Sequence, residues 1–195
     1  MTFTWTPRIL GLGGTTRNGS TSERALCAAL ELARRAGAQT DLLLAADLEL
    51  PAYASERDMH GPRVDRLLEV VRRADGIVLA SPGFHGGPSG LIKNALDHLE
   101  ELREDERPYL DGRAVGCIVC AAGWQATATT LTALRSTVHA LRGWPTPLGI
   151  TINSVPGPNG SDPVAAASPQ LAVLVEQVVG FAGWQHAATA AEVAL

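Results

Sequence analysis

Lysine is almost missing from this chain: Lys93 is the single lysine among 16 basic residues, and 20 acidic residues leave a formal net charge of −4. A chain without a basic excess is a poor partner for nucleic acid or an anionic membrane surface, since both call for a positive face. Cysteine is scarce as well. Cys27, Cys117 and Cys120 are too few, and odd in number, for a disulfide framework. Long apolar runs are lacking: stretches such as Ala114 to Ala122 fall well short of the roughly 18 to 20 residues that span a bilayer. Met1 to Pro7 shows no charged start followed by an apolar stretch, so no signal peptide is expected and the expected location is cytoplasmic. The five histidines (His60, His85, His98, His139 and His186) are scattered without ligand spacing, which speaks against a metal site. No Gly-x-Ser-x-Gly elbow offers a hydrolase nucleophile.

What remains is an ordinary globular composition. The 195 residues are 46% hydrophobic and 18% charged, which fits one domain over residues 1–195 with a core of about 8–186. The chain alternates short apolar runs with amphipathic stretches. Arg8 to Leu12, Asp41 to Leu44, Gly76 to Ala80, Arg113 to Ala121 and Thr146 to Ile152 read as strands. Helical spacing marks Ser22 to Ala36, Val64 to Val71, Leu91 to Leu99, Leu131 to Leu141 and Leu171 to Phe181. Glu49 to Gly61, Ser81 to Gly90 and Asn153 to Pro169 read as loops, and the tail from Ala187 as a fraying end. Strands alternating with helices imply parallel pairing. Right-handed crossovers then give an α/β, doubly wound, five-stranded sheet of order 2-1-3-4-5 with helices on both faces.

In that topology ligands bind beyond the carboxyl ends of strands one and three, where the strand order reverses. The loops there, Gly13 to Ser22 and Ser81 to Gly90, are the two richest in glycine and hydroxyl groups. In the first, Thr15, Ser20, Thr21 and Ser22 with neighbouring N–H groups suit a phosphate at a helix N-terminus, and Arg17 can pair with its oxygens. Ser20 reads equally as a plain helix cap, with Glu23 completing a capping box. This is not a P-loop, because the Gly-Lys-Ser/Thr ending is missing. In the second loop, Phe84 and His85 offer flat faces or polar edges to a ring system, and packing in the core or on the surface is the plainer reading of each. Ala121 to Gln125 should border the same crevice, with Trp124 either covering a ring or meeting another subunit. Cys117-x-x-Cys120 resembles a redox pair, but residues three apart on a strand point to opposite faces.

At these loops the chain resembles the NADPH-dependent FMN reductase family, a flavodoxin-like group that includes FMN, quinone, azo and chromate reductases. The family's phosphate loop, Gly-Ser-x-Arg-x-x-Ser-x-Asn, is matched by Gly14-Thr15-Thr16-Arg17-Asn18-Gly19-Ser20-Thr21-Ser22. Its Ser-Pro-Glu-Tyr-Asn-Gly is matched by Ser81-Pro82-Gly83-Phe84-His85-Gly86, and its Gly-x-Leu-Lys-Asn-Ala-Leu-Asp helix start by Gly90 to Asp97. Three replacements, Gly83, Phe84 and His85, remove a carboxylate and a phenol from the second loop. Ser89 stands where the family has proline.

The resemblance covers roughly Arg8 to Asn153 and implies an FMN-dependent oxidoreductase taking hydride from NADPH or NADH. It implies that Thr15, Arg17, Ser20, Thr21 and Ser22 hold the phosphate. Pro82, Gly83, Phe84, His85 and Gly86 then meet the ring, with Ala122, Gly123 and Trp124 at its other edge. His85 is the one candidate acid or base. The electron acceptor is a second flavin, a quinone or another small oxidant, and the expected assembly is a homodimer or homotetramer. A specialised biosynthetic flavoenzyme and a flavodoxin-like electron carrier are the alternative readings.

Overall fold

The structure, a computed structural model, describes residues 5–56, 60–157 and 160–193. Residues 1–4 of the N-terminal stretch, 57–59 of the loop after the second strand, 158–159 of the Pro/Gly/Ser-rich segment and the last two residues lie outside the described ones.

Short β-rich runs become strands β1 (Arg8–Gly13), β2 (Gln39–Leu43), β3 (Gly76–Phe84) and β5 (Ala114–Ala121) of one parallel sheet. A two-residue β4 (Gly87–Pro88) folds back on β3. The order is β2-β1-β3-β5, with the fifth place shared by β6 (Trp144–Pro145) and β7 (Ile150–Asn153), both parallel to β5. That is the expected 2-1-3-4-5 sheet with its last strand interrupted at Thr146 to Gly149. Pro147 has no N–H to give a ladder, and the polar groups there turn inward on side chains. Thr146 Oγ1 donates to the Leu148 carbonyl (2.8 Å), and the Leu148 N–H donates to Gln177 Oε1 (3.0 Å).

Helices α1 (Thr21–Arg35) and α7 (Ser168–Val193) cover one face. The other carries α3 (Pro62–Arg73), α4 (Gly90–Asp97) and α5 (Trp124–Ala140). Short α2 (Ala45–Leu48) and α6 (Pro163–Ala166) lie in connections. The period of two along each strand divides the core accordingly. Ile77 and Leu79 of β3, with Val115, Cys117 and Val119 of β5, pack under α3, α4 and α5. Val78, Ala80, Ile118 and Cys120 pack under α1 and α7. Gly116 is required on the second face, because a Cβ there would sit 2.5 Å from Leu174 Cδ2 of α7.

The start of β5 is anchored by Arg113, 1% exposed. Its guanidinium donates to the backbone carbonyls of Ala74, Tyr109, Asp111 and Arg72 at 3.0–3.3 Å. Burial pulls its pKa down to about 10. A 3-10 turn, His98–Leu102, extends α4 and buries Leu99 and Leu102, while Glu100 and Glu101 between them stay partly exposed. α7 continues through the tail expected to fray. None of the described helices is long and apolar enough to cross a membrane.

Candidate active site

β1 ends on Gly13, and the Gly14 N–H donates to the Ala80 carbonyl of β3 (2.9 Å), so the first loop leaves the sheet already tied to the neighbouring strand. A Cβ on Gly14 would lie 2.1 Å from Ile92 Cγ1 and 2.5 Å from Ser89 Oγ, so glycine is needed where this loop passes the start of α4. The loop then turns tightly. The Arg17 N–H donates to Thr15 Oγ1 (3.2 Å), the Ser20 N–H to the Arg17 carbonyl (3.2 Å), and Gly19 takes φ +67°. Ser20 is the N-cap of α1: its hydroxyl accepts from the Glu23 N–H (3.3 Å) and lies 3.3 Å from Ser22 Oγ. The cap expected of Ser20 is therefore present, while the Thr21 and Ser22 amides sit at the first two helical positions, where an α-helix leaves N–H groups without an internal acceptor.

The second loop is a hairpin. β3 continues through Ser81 and Pro82 to Phe84, and Gly83 and Phe84 pair antiparallel with Pro88 and Gly87. His85 (φ +52°) and Gly86 (φ +86°) form the turn between them, the two-residue pattern of positive φ that matches strand twist. Buried Ser81 holds the hairpin's return: the Ser89 N–H donates to its Oγ (2.9 Å), and that hydroxyl donates to the Pro82 carbonyl (2.8 Å). Ser89 in turn caps α4, accepting from the Ile92 N–H (3.3 Å). On the far side α5 presses against the hairpin, with Thr130 Oγ1 donating to the Gly87 carbonyl (3.3 Å). A Cβ on Gly83 would lie 2.9 Å from that same Thr130 oxygen and 3.3 Å from the Ala126 carbonyl. The glutamate of the family pattern has no room beside this α5.

These two loops enclose a cavity of about 490 Å³, within the range of cofactor sites. Thr15, Arg17, Ser20, Thr21, Ser22, Pro82, Gly83 and Phe84 line it together, as the sequence led one to expect. Gly14, Thr16, Ser89, Gly90 and Ala121 line it too, within the three segments expected at the crevice though not singled out there, whereas Leu91, Cys120 and Ser154 were not anticipated. The placement of Ser89 was open to a reader of N-caps, since a serine precedes an apolar helical run there; Ser154 carried no such signal. His85 and Gly86 stand at the hairpin tip, outside this lining, and so do Ala122 and Gly123 at the start of α5. Trp124 walls a neighbouring cavity instead.

Arg17 is the single charged side chain among the described lining residues. With the start of α1 it makes the phosphate end positive. The donors present fit FMN: hydroxyls, free amides and a guanidinium for a phosphate dianion, and a wall of Pro82, Gly83, Phe84 and Ala121 for a flat ring. Cys117 and Cys120 offer no thiolate chemistry. They belong to opposite cores, and burial pushes each thiol up to about 12.

Comparison with known proteins agrees with this geometry. The family described as NADPH-dependent FMN reductase matches residues 7–155. An NAD(P)H-dependent FMN reductase of Pseudomonas aeruginosa is 31% identical over 134 residues, 67% of this chain and 69% of that protein. An NADPH azoreductase of a Bacillus species is 40% identical over a shorter stretch, 63 residues, which is 31% of this chain and 34% of the azoreductase. A solved NADH:FMN oxidoreductase in its apo form shares the fold, with a TM-score of 0.67 at 20% identity over 91% of this chain and 89% of the other. The chain belongs to the NADPH-dependent FMN reductase family, as an oxidoreductase with FMN as cofactor and NAD(P)H as hydride donor.

Proposed function

We propose that the whole chain acts as one FMN-binding domain that reduces a small oxidant: a second flavin, a quinone or an azo compound. The observation that carries this reading is the meeting of the α1 N-terminus and the β3–β4 hairpin on one cavity where Arg17 is the only charged residue among the described lining ones. Thr15, Arg17, Ser20, Thr21 and Ser22 hold the phosphate. Pro82, Gly83, Phe84 and Ala121 would hold the ring. When bound there, FMN would supply the redox chemistry between nicotinamide and acceptor. The protein's part would be to neutralise the phosphate and to hold the ring against a hairpin closed by a two-residue turn.

His85 is the one titratable side chain on the hairpin, exposed at its tip beside Phe84 and Gly86. We assign it contact with the substrate. Exchange of His85 for Asn keeps a residue that tolerates positive φ, so turnover should fall several-fold while FMN affinity stays within about twofold. Equal loss of both removes the assignment. The cytoplasm is the proposed location. The proposed assembly is a homodimer or homotetramer, supported by the exposed Trp144 and Trp184 flanking Phe181, with ring centroids 5.7 and 5.6 Å apart.

The test of the main reading is a titration of the purified protein with FMN, followed by anaerobic NADPH. Stoichiometric quenching of flavin fluorescence and bleaching of the flavin absorbance are expected. Arg17→Ala should weaken FMN binding by about tenfold or more. A protein that leaves added FMN fluorescence unchanged at micromolar concentrations overturns the reading.

A further inference from the structure

A second cavity, of about 510 Å³, lies beside the first. It runs along β7, which pairs with β5 alone and so leaves the peptide groups of its outer edge without a strand partner. Ile150 and Ile152 are buried, whereas Thr151 and Asn153 are partly open. Trp124, at the first position of α5, forms one wall, and α6 with the start of α7 forms another through Ala166, Ala167 and Gln170. The indole of Trp124 is 63% exposed, a large flat apolar surface left in water at a cavity wall.

Charge separates this cavity from its neighbour. None of the described residues lining it is ionisable: the polar groups are amides, hydroxyls and peptide edges. A pyrophosphate or a nucleotide phosphate entering here would shed part of its water and meet no cation among the described lining residues, which disfavours a multiply charged group. An uncharged ring compound meets the opposite balance. Its faces can stack on Trp124 and the aliphatic wall, and carbonyl oxygens at its edge can accept from Asn153 or Gln170 amides.

The two cavities share a thin partition. Ser154 lines the first, while Asn153 and Val155 on either side of it line the second. The Ser154 N–H donates to the carbonyl of Ala121 (2.9 Å), which itself lines the first cavity. We propose that the β7 cavity is a binding site for an uncharged, planar ring compound, held one chain's width from the flavin cavity. It rests on the reading of the first cavity as the flavin site only for its relation to the cofactor, not for binding itself.

The experiment compares two probes on the purified protein, with and without FMN: 2-methyl-1,4-naphthoquinone and a sulfonated naphthoquinone of similar size. Binding is read by calorimetry with the flavin oxidised. The uncharged quinone should bind, and the sulfonate about tenfold more weakly or not at all. Trp124→Ala should weaken quinone binding about tenfold. Ala166→Phe, which fills the cavity from α6, should do the same while FMN affinity and melting temperature hold. Equal affinity for the two probes overturns the proposal, and so does wild-type quinone binding by a folded Ala166→Phe protein. Quinone binding by a protein that fails to bind FMN sinks the flavin reading of the first cavity and leaves this site standing.

Discussion

Cys117 and Cys120 are two thiols three residues apart that never face each other. The first lies under α3, α4 and α5 and the second under α1 and α7, with the sheet between them. Burial holds both up at about 12, whereas a thiol in the unfolded chain titrates near about 8.5. The native state therefore keeps two protons that the unfolded chain gives up. The stability this confers is complete below about pH 8.5 and is lost as pH rises toward about 12. Between pH 8 and 10.5 the melting temperature of the wild type should fall more steeply than that of the Cys117→Ala, Cys120→Ala double variant; parallel curves would refute this. Iodoacetamide at pH 8 should label exposed Cys27 alone in the native protein and all three cysteines in guanidinium, read by mass. Strand periodicity made this arrangement legible in advance, because it depends only on the alternation of side chains along β5. The carbonyl cage around Arg113 was not legible, since its partners lie 2 to 41 residues away and carry no side-chain signal.

The β3–β4 hairpin shows what a glycine-rich segment hides. Ser81 to Gly90 reads as a loop because glycine and proline are poor strand formers, yet Gly83, Phe84, Gly87 and Pro88 pair, and His85-Gly86 supplies the positive-φ turn. A His-Gly pair is a weaker hairpin signal than Asn-Gly, and the signal sits between residues that do not alternate. Gly83 is fixed from outside the hairpin, by Thr130 and the Ala126 carbonyl of α5. Restoring the family residue with Gly83→Glu should displace α5, break the Thr130 bond to Gly87 and cost about 1–3 kcal/mol. Chemical denaturation measures this, and an unchanged midpoint would show that α5 gives way freely. The companion change Thr130→Ala should recover part of the loss. The interruption of the fifth strand is of the same kind: Pro147 was visible, but Gln177, whose side chain accepts from the displaced Leu148 N–H, comes from α7, 29 residues away.

At the scale of the molecule, the sheet order followed from the alternation of strands and helices and from crossover handedness, rules that hold whatever the side chains are. For that reason the ligand-facing loops could be named while three other lining residues could not. Leu91, Cys120 and Ser154 come to the cavity through packing of α4, β5 and the segment after β7, a matter of distances rather than patterns. α7 also outruns its apolar stretch, continuing to Val193 through alanines that favour helix without burying much. On the outer edge, Trp144 and Trp184 are 58% and 64% exposed and bracket Phe181. Replacing both tryptophans by serine should lower the sedimentation coefficient toward that of one chain; an unchanged value would place self-association elsewhere.

A turn of two residues has no slack. Because His85 and Gly86 alone join β3 to β4, the flavin-facing side of the mouth cannot be lengthened by a residue without changing which strand positions oppose each other. The stretch from Ser154 to Ser161 is under no such constraint, since its described residues contribute no strand pairing. Diversification of the pocket by insertion is thereby channelled to the side of the uncharged cavity, so a library built for new acceptors should vary length there and hold the hairpin constant.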